Sequence, residues 1–161
     1  MFEFHELFDA KEIDEFCNKV AKQFRNSPEY LIWLNDFTIR DVDAVTGQSS
    51  IEDDIDIEVH HYGISLERWI RIIMDKFIEN ELFVNSHYFC LILSDIHLNR
   101  CVPYVPLMHC YHKVQQKIKD EAFLEKYPQI TDYIYKGDTS KAMEIIDNHI
   151  EILKKISQNE K

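Results

Sequence analysis

The sequence predicts an α+β domain, mostly helical, in which one small two-stranded element sits beside a helix. Three observations carry that prediction. Apolar residues recur at the three-to-four spacing of a buried helical stripe in several separate segments. Only 3 Gly and 4 Pro occur in 161 residues, so tight turns are few. Ile55-Asp56-Ile57-Glu58-Val59-His60 alternates strictly between apolar and polar, as a half-buried strand does.

The elements follow in order. Asp9-Ala10-Lys11-Glu12 has the form of a capping box and opens a helix to about Arg25, with Ile13, Phe16, Cys17, Val20 and Phe24 on one stripe. Asn26-Ser27-Pro28 stops it, and Pro28 suits the first turn of a short second helix through Leu34. Residues 38–54 are polar and acidic around Gly47-Gln48-Ser49-Ser50 and read as a loop. The alternating strand comes next. After Gly63, Ser65 caps a helix carrying Leu66, Trp69, Ile70, Ile73 and Phe77 on one face. A second apolar helix is expected over residues 86–98. Cys101-Val102-Pro103-Tyr104-Val105-Pro106 is a short extended piece, held to an edge or an irregular pairing by its two prolines. Residues 107–119 read as a helix and residues 127–135 as a short one. A turn at Lys136-Gly137-Asp138 follows, with Thr139 or Asp138 capping a last helix to about Ser157. The organisation is therefore an acidic helical region with its loop (1–54), a core containing a helical insertion (55–120), and a C-terminal helical hairpin (121–161).

Composition bounds the function. Hydrophobic residues are 45% and aromatics 12% of the chain, enough to build a core. No apolar run reaches the roughly 18 residues of a membrane span, and Met1-Phe2-Glu3-Phe4-His5-Glu6 lacks the basic and apolar regions of a secretory signal. Cys17, Cys90, Cys101 and Cys110 form no C-x-x-C pair, which predicts reduced thiols and a cytoplasmic protein. The net charge is −11, and residues 1–59 account for nearly all of it with 15 acidic and 5 basic side chains. Residues 99–119 hold Arg100, Lys113, Lys117 and Lys119 and no acid. A polyanion would be repelled by most of this chain, so any contact with nucleic acid belongs to the second half.

Three features stand in sequence: Glu58-Val59-His60-His61 at a strand end, Tyr104-Val105-Pro106-Leu107 as a second extended piece, and Cys110-Tyr111-His112-Lys113 on the following helix. A one-metal phosphodiesterase needs imidazole or carboxylate ligands from two elements to fix the ion, and a further histidine free to deprotonate water. The text E-V-H-H followed by V-P-L-x-x-x-x-H resembles the HNH (ββα-metal) endonucleases, and more closely their phage-type relatives, in which a helical insertion separates the His-His strand from V-P-L. The resemblance spans residues 55–117. It implies His60 and His112 as ligands of a divalent metal (Mg²⁺, Mn²⁺ or Zn²⁺), His61 as the general base, and Arg100 or Lys113 on the phosphate, with no organic cofactor. For a phage protein this places it in the host cytoplasm. Two positions depart from the family pattern: Pro103 stands where an Asn orients the base, and Gln116 where a further helical His is common. Asn99 or His97 is the nearby polar group that could replace the lost Asn. The departures imply a weakened endonuclease. The alternative is an inactive HNH-fold binding protein whose acids Glu52, Asp53, Asp54 and Asp56 dock on a basic surface of a replication, transcription or defence protein.

Overall fold

The computed structural model describes residues 9–159. The reading of Met1-Phe2-Glu3-Phe4-His5-Glu6 as lacking a signal lies outside them. The mostly helical α+β class is the one observed. Helix α1 runs over Ala10–Arg25, α2 over Pro28–Ile32 and a π-helical turn over Trp33–Phe37. Strand β1 is Ile57–His61, α3 Leu66–Glu79 and α4 Ser86–Leu98. Strand β2 is Tyr104–Met108, followed at once by α5 (His109–Gln115) and α6 (Asp120–Lys126). A 3₁₀ turn, Pro128–Tyr133, leads to α7, Thr139–Asn159.

Local chemistry accounts for the starts. Asp9 and Glu12 complete a reciprocal capping box, with Glu12 N–H donating to Asp9 at 2.9 Å. Ser65 accepts from Arg68 N–H at the start of α3. At α7 the Lys141 N–H donates to the Asp138 carboxylate, which makes Asp138 the capping side chain. The expected helix over residues 107–119 begins later and ends sooner, because Leu107 and Met108 are taken into the sheet opposite Glu58 and Ile57. The short second helix widens into a π turn that carries Trp33 into the interior. Residues 38–54 are pinned by a bridge between Val42 and Ser49, and by Asp43, whose carboxylate accepts from Thr46 N–H and Met108 N–H. The four cysteines are free thiols.

Strands β1 and β2 pair antiparallel, with Val59 opposite Pro106, His60 opposite Val105 and His61 opposite Tyr104. Alternation then sorts the side chains onto two faces. Val59, His61 and Tyr104 face the larger core, built mainly from α1, α3, α4 and α7 around Phe24, Trp33, Trp69, Phe77 and Phe89. Val105 and Leu107 face a smaller cluster with Ala44, Phe123 and Ile130. No helix among the described residues is long and apolar enough to cross a membrane.

Candidate functional site

The sheet and the helices on either side of it bring His60, His61, His97 and His112 together. His60, on the face of β1 turned toward α5, lies with its ring centroid 5.3 Å from that of His112. The two strands are adjacent because the hairpin-like pairing forms across a long helical insertion. That pairing sets α5 directly beneath the end of β1.

Each of these two imidazoles is anchored by a carboxylate. His60 Nε2 lies 3.2 Å from Asp120 Oδ1, and His112 Nδ1 lies 2.5 Å from Glu58 Oε2. A carboxylate accepts, so the imidazole nitrogen facing it carries the proton. In the neutral rings this leaves His60 Nδ1 and His112 Nε2 bare. Histidines that bind metals are commonly fixed in this way by an acceptor on the far nitrogen. Glu58 also accepts from His109 Nδ1 at 2.7 Å. Burial alone would raise the Glu58 carboxyl, but the bonds from His112 and His109 outweigh it and hold the group below its usual range. Asp120 behaves alike: burial pushes it up, and His60, the Gly63 N–H at 2.7 Å and Gln115 bring it net downward.

His61 points the other way, into the larger core. Its ring stacks on Trp33 at 5.3 Å, and its Nε2 lies 3.0 Å from Nε2 of His97. His97 is fully buried on α4, and its Nδ1 lies 2.6 Å from the Leu93 carbonyl oxygen. A carbonyl only accepts, so His97 Nδ1 holds the proton and neutral His97 presents a bare Nε2. That nitrogen accepts from His61 Nε2–H, which leaves His61 Nδ1 as the unprotonated position. Both rings stay neutral. Burial pushes His61 well below its ordinary value, with His97 adding to the effect, and burial lowers His97 to about 4.

Both His60 and His61 line an open cleft of about 380 Å³, together with Arg25, Tyr30, His112 and Gln116. Arg25 donates to Glu67 across this cleft at 2.7 Å. Neither Arg100 nor Lys113, the sequence candidates for phosphate contact, lines it: Arg100 lies over the Phe37 ring, and Lys113 is exposed on α5. Glu52, Asp53, Asp54 and Asp56 are all exposed in the turns before β1. Sequence reasoning missed Asp120 and gave Glu58 no role beyond the motif. Glu58 was legible, since a strand residue two before His60 must share its face. Asp120 gave no signal, because it lies 60 residues from the histidine it holds.

As to a metal, the donor set is two imidazoles with bare nitrogens and anchored far sides, which suits a divalent ion of intermediate softness. Among the described residues, no three His, Cys, Asp or Glu side chains are arranged so that they could hold a metal ion together. Two protein ligands are one fewer than a catalytic zinc site commonly has, so the remaining positions would fall to water or substrate. No family model matches the chain, and no curated protein or solved structure matches it either.

Proposed function

We propose that this cleft is a phosphodiester-hydrolysing site of HNH type, acting on nucleic acid with a divalent metal, in which His61 is the general base. The observation that carries the reading is the Leu93–His97–His61 chain. It supplies the orienting partner that Pro103 lacks, and it leaves a neutral, unprotonated imidazole nitrogen on a residue that lines the cleft. His60 and His112 would hold the ion. When bound, it would supply charge stabilisation for the phosphorane and the leaving oxygen. The chain's own residues divide the remaining work: Glu58 and Asp120 fix the ligand rings, and His61 accepts the proton of the attacking water.

The test is hydrolysis of bis(4-nitrophenyl) phosphate and of single-stranded DNA in Mg²⁺, Mn²⁺, Ni²⁺ and Zn²⁺. We expect slow turnover that disappears in His61→Ala while the fold survives. Gln116 lines the cleft one helical turn beyond His112, so Gln116→His should tighten metal binding in a calorimetric titration. Wild-type protein inert with every ion would sink the reading.

A second reading has its own support. Glu52, Asp53, Asp54 and Asp56 form no ion pair among the described residues, and Ile51 beside them is 85% exposed. Such a face would dock on a basic protein surface, and association should slow as salt is added. Partner association unchanged between low salt and about 0.5 M, several times the ionic strength at which the Debye length is already near 8 Å, counts against it.

A further inference from the structure

The cleft does not end at the histidines. A second concavity of about 310 Å³ is also lined by His60 and His61, and the two share Ser65 as well. One lobe is bounded by Tyr30 and Gln116, the other by Gly63, Gln115 and Ile118. His60 and His61 therefore contribute to the walls of both hollows. Each hollow is near the small end of the roughly 300–1,000 Å³ typical of ligand pockets.

Charge narrows what can lie there. Among the described residues, three lysine or arginine side chains line the two lobes: Arg25, Arg68 and Lys119. Arg25 is already paired with Glu67, and Asp120 and Glu121 line the second lobe. Duplex DNA carries one charge per about 1.7 Å of axis, and proteins that bind it commonly neutralise about 6–10 phosphates. Lys113 and Lys117, which could extend the basic track, line neither lobe. The surface offers charge for one or two phosphates, beside polar amides and the Tyr30 ring.

We infer that, resting on the hydrolytic reading above, the substrate class is a short single-stranded phosphodiester such as a dinucleotide, with one nucleoside in each lobe and the bridging phosphate over His60. The phosphate then has Arg25 in one lobe and Arg68 in the other to pair with, and the two nucleosides meet Tyr30 and Gln116 on one side and Gln115 and Ile118 on the other. The second strand and the charge density of a duplex find no matching surface in the two lobes among the described residues.

The experiment is an amide-resolved NMR titration of the full chain at about 0.15 M salt, where exposed charges beyond about 8 Å are largely screened. The probes are the dinucleoside monophosphate TpT, thymidine alone, and a 12-base-pair duplex. TpT should give saturable shifts at both Gly63 and Gln116 and bind at least tenfold more tightly than thymidine. The duplex should give none of these shifts, and Arg68→Glu should weaken TpT severalfold. Shifts confined to one lobe, no binding of TpT, or tighter binding of the duplex would each overturn the inference. The same samples, incubated with Mn²⁺, separate it from the hydrolytic reading. TpT that binds across both lobes but is never cut removes the hydrolysis and leaves the binding site. Rapid cutting of duplex does the reverse.

Discussion

His97 holds the site at the scale of a single residue. The sequence offers it, beside Asn99, as a replacement for the lost Asn, and two distances decide for it: 2.6 Å to the Leu93 carbonyl and 3.0 Å to His61. Replacing it with Phe leaves the His61 Nε2–H buried without an acceptor, which costs about 1–3 kcal/mol. Lost orientation of this kind typically lowers activity by about 10–100-fold. We therefore expect His97→Phe to reduce kcat/KM on bis(4-nitrophenyl) phosphate by that factor and to scramble the His61 tautomer seen in ¹⁵N shifts. His97→Gln, whose amide oxygen can accept the same bond, should recover part of both. A full-activity His97→Phe protein with an unchanged His61 tautomer would remove His97 from any positioning role. The same ring sets a pH dependence. Its folded value near 4 lies below the ordinary histidine value of 6.5, so between those limits the unfolded chain binds the proton and the folded chain refuses it. Stability should fall as pH drops from about 6.5 to about 4, then stop falling on this account. The loss amounts to about 3 kcal/mol at about 1.36 kcal/mol per unit. Glu58 and Asp120, both held below their usual range, add loss of the same sign at the acid end. Urea midpoints at pH 7, 5.5 and 4.5 should decline in wild type and decline less in His97→Phe. A midpoint constant from pH 7 to 4.5 sinks the assignment.

Among elements, the β1–β2 pair and α5 hold His60, His61 and His112, and they also show what a sequence can reveal. Strict alternation over Ile55–His60 was legible, where the strand is Ile57–His61, and so were the adjacency of the two extended pieces and the approach of His112 to His60. The helix boundary was not. Leu107 and Met108 suit either state, and only pairing with Glu58 and Ile57 decides for strand. The opposed directions of His60 and His61 follow from the pleat, but the partner on each side does not. Asp120 comes from α6 and His97 from α4, and no spacing announces contacts 60 and 36 residues apart. Asp120 ties these elements together. It accepts from His60, from Gly63 N–H beyond the end of β1, and from Gln115 on α5. Asp120→Ala breaks all three bonds at once. At about 0.5–1.5 kcal/mol for an ordinary bond and more for those to a charged group, it should destabilise the protein by roughly 2–4 kcal/mol. Thermal unfolding would show this directly. Asp120→Asn should lose less, because its amide oxygen still accepts. If the two variants unfold at the wild-type temperature, the clasp is not a structural one.

Across the whole molecule, the helices outside residues 55–120 are what make the site possible. Trp33, which stacks on His61, sits in the π turn after α2, and Phe24 of α1 lies with its ring 4.8 Å from His97. From the other end of the chain, Ala142, Ile146 and Ile150 of α7 are buried in the same core as Trp69, Phe77 and Phe89. The histidine-bearing segment thus borrows its interior from both flanks. Isolated, residues 55–120 would expose the apolar faces of α3 and α4 that α1 and α7 now cover. At about 1.5–3 kcal/mol per large apolar side chain left in water, the loss exceeds the 5–15 kcal/mol that typically separates folded from unfolded domains. A fragment of residues 55–120 should therefore show no cooperative unfolding transition by circular dichroism and no dispersed amide spectrum. Residues 9–159 should unfold in one step, with the near-ultraviolet signal of Trp33 and Trp69 lost together with helicity. Two separated transitions in the longer chain, or a folded fragment, would mean that the core divides where the burial pattern says it does not.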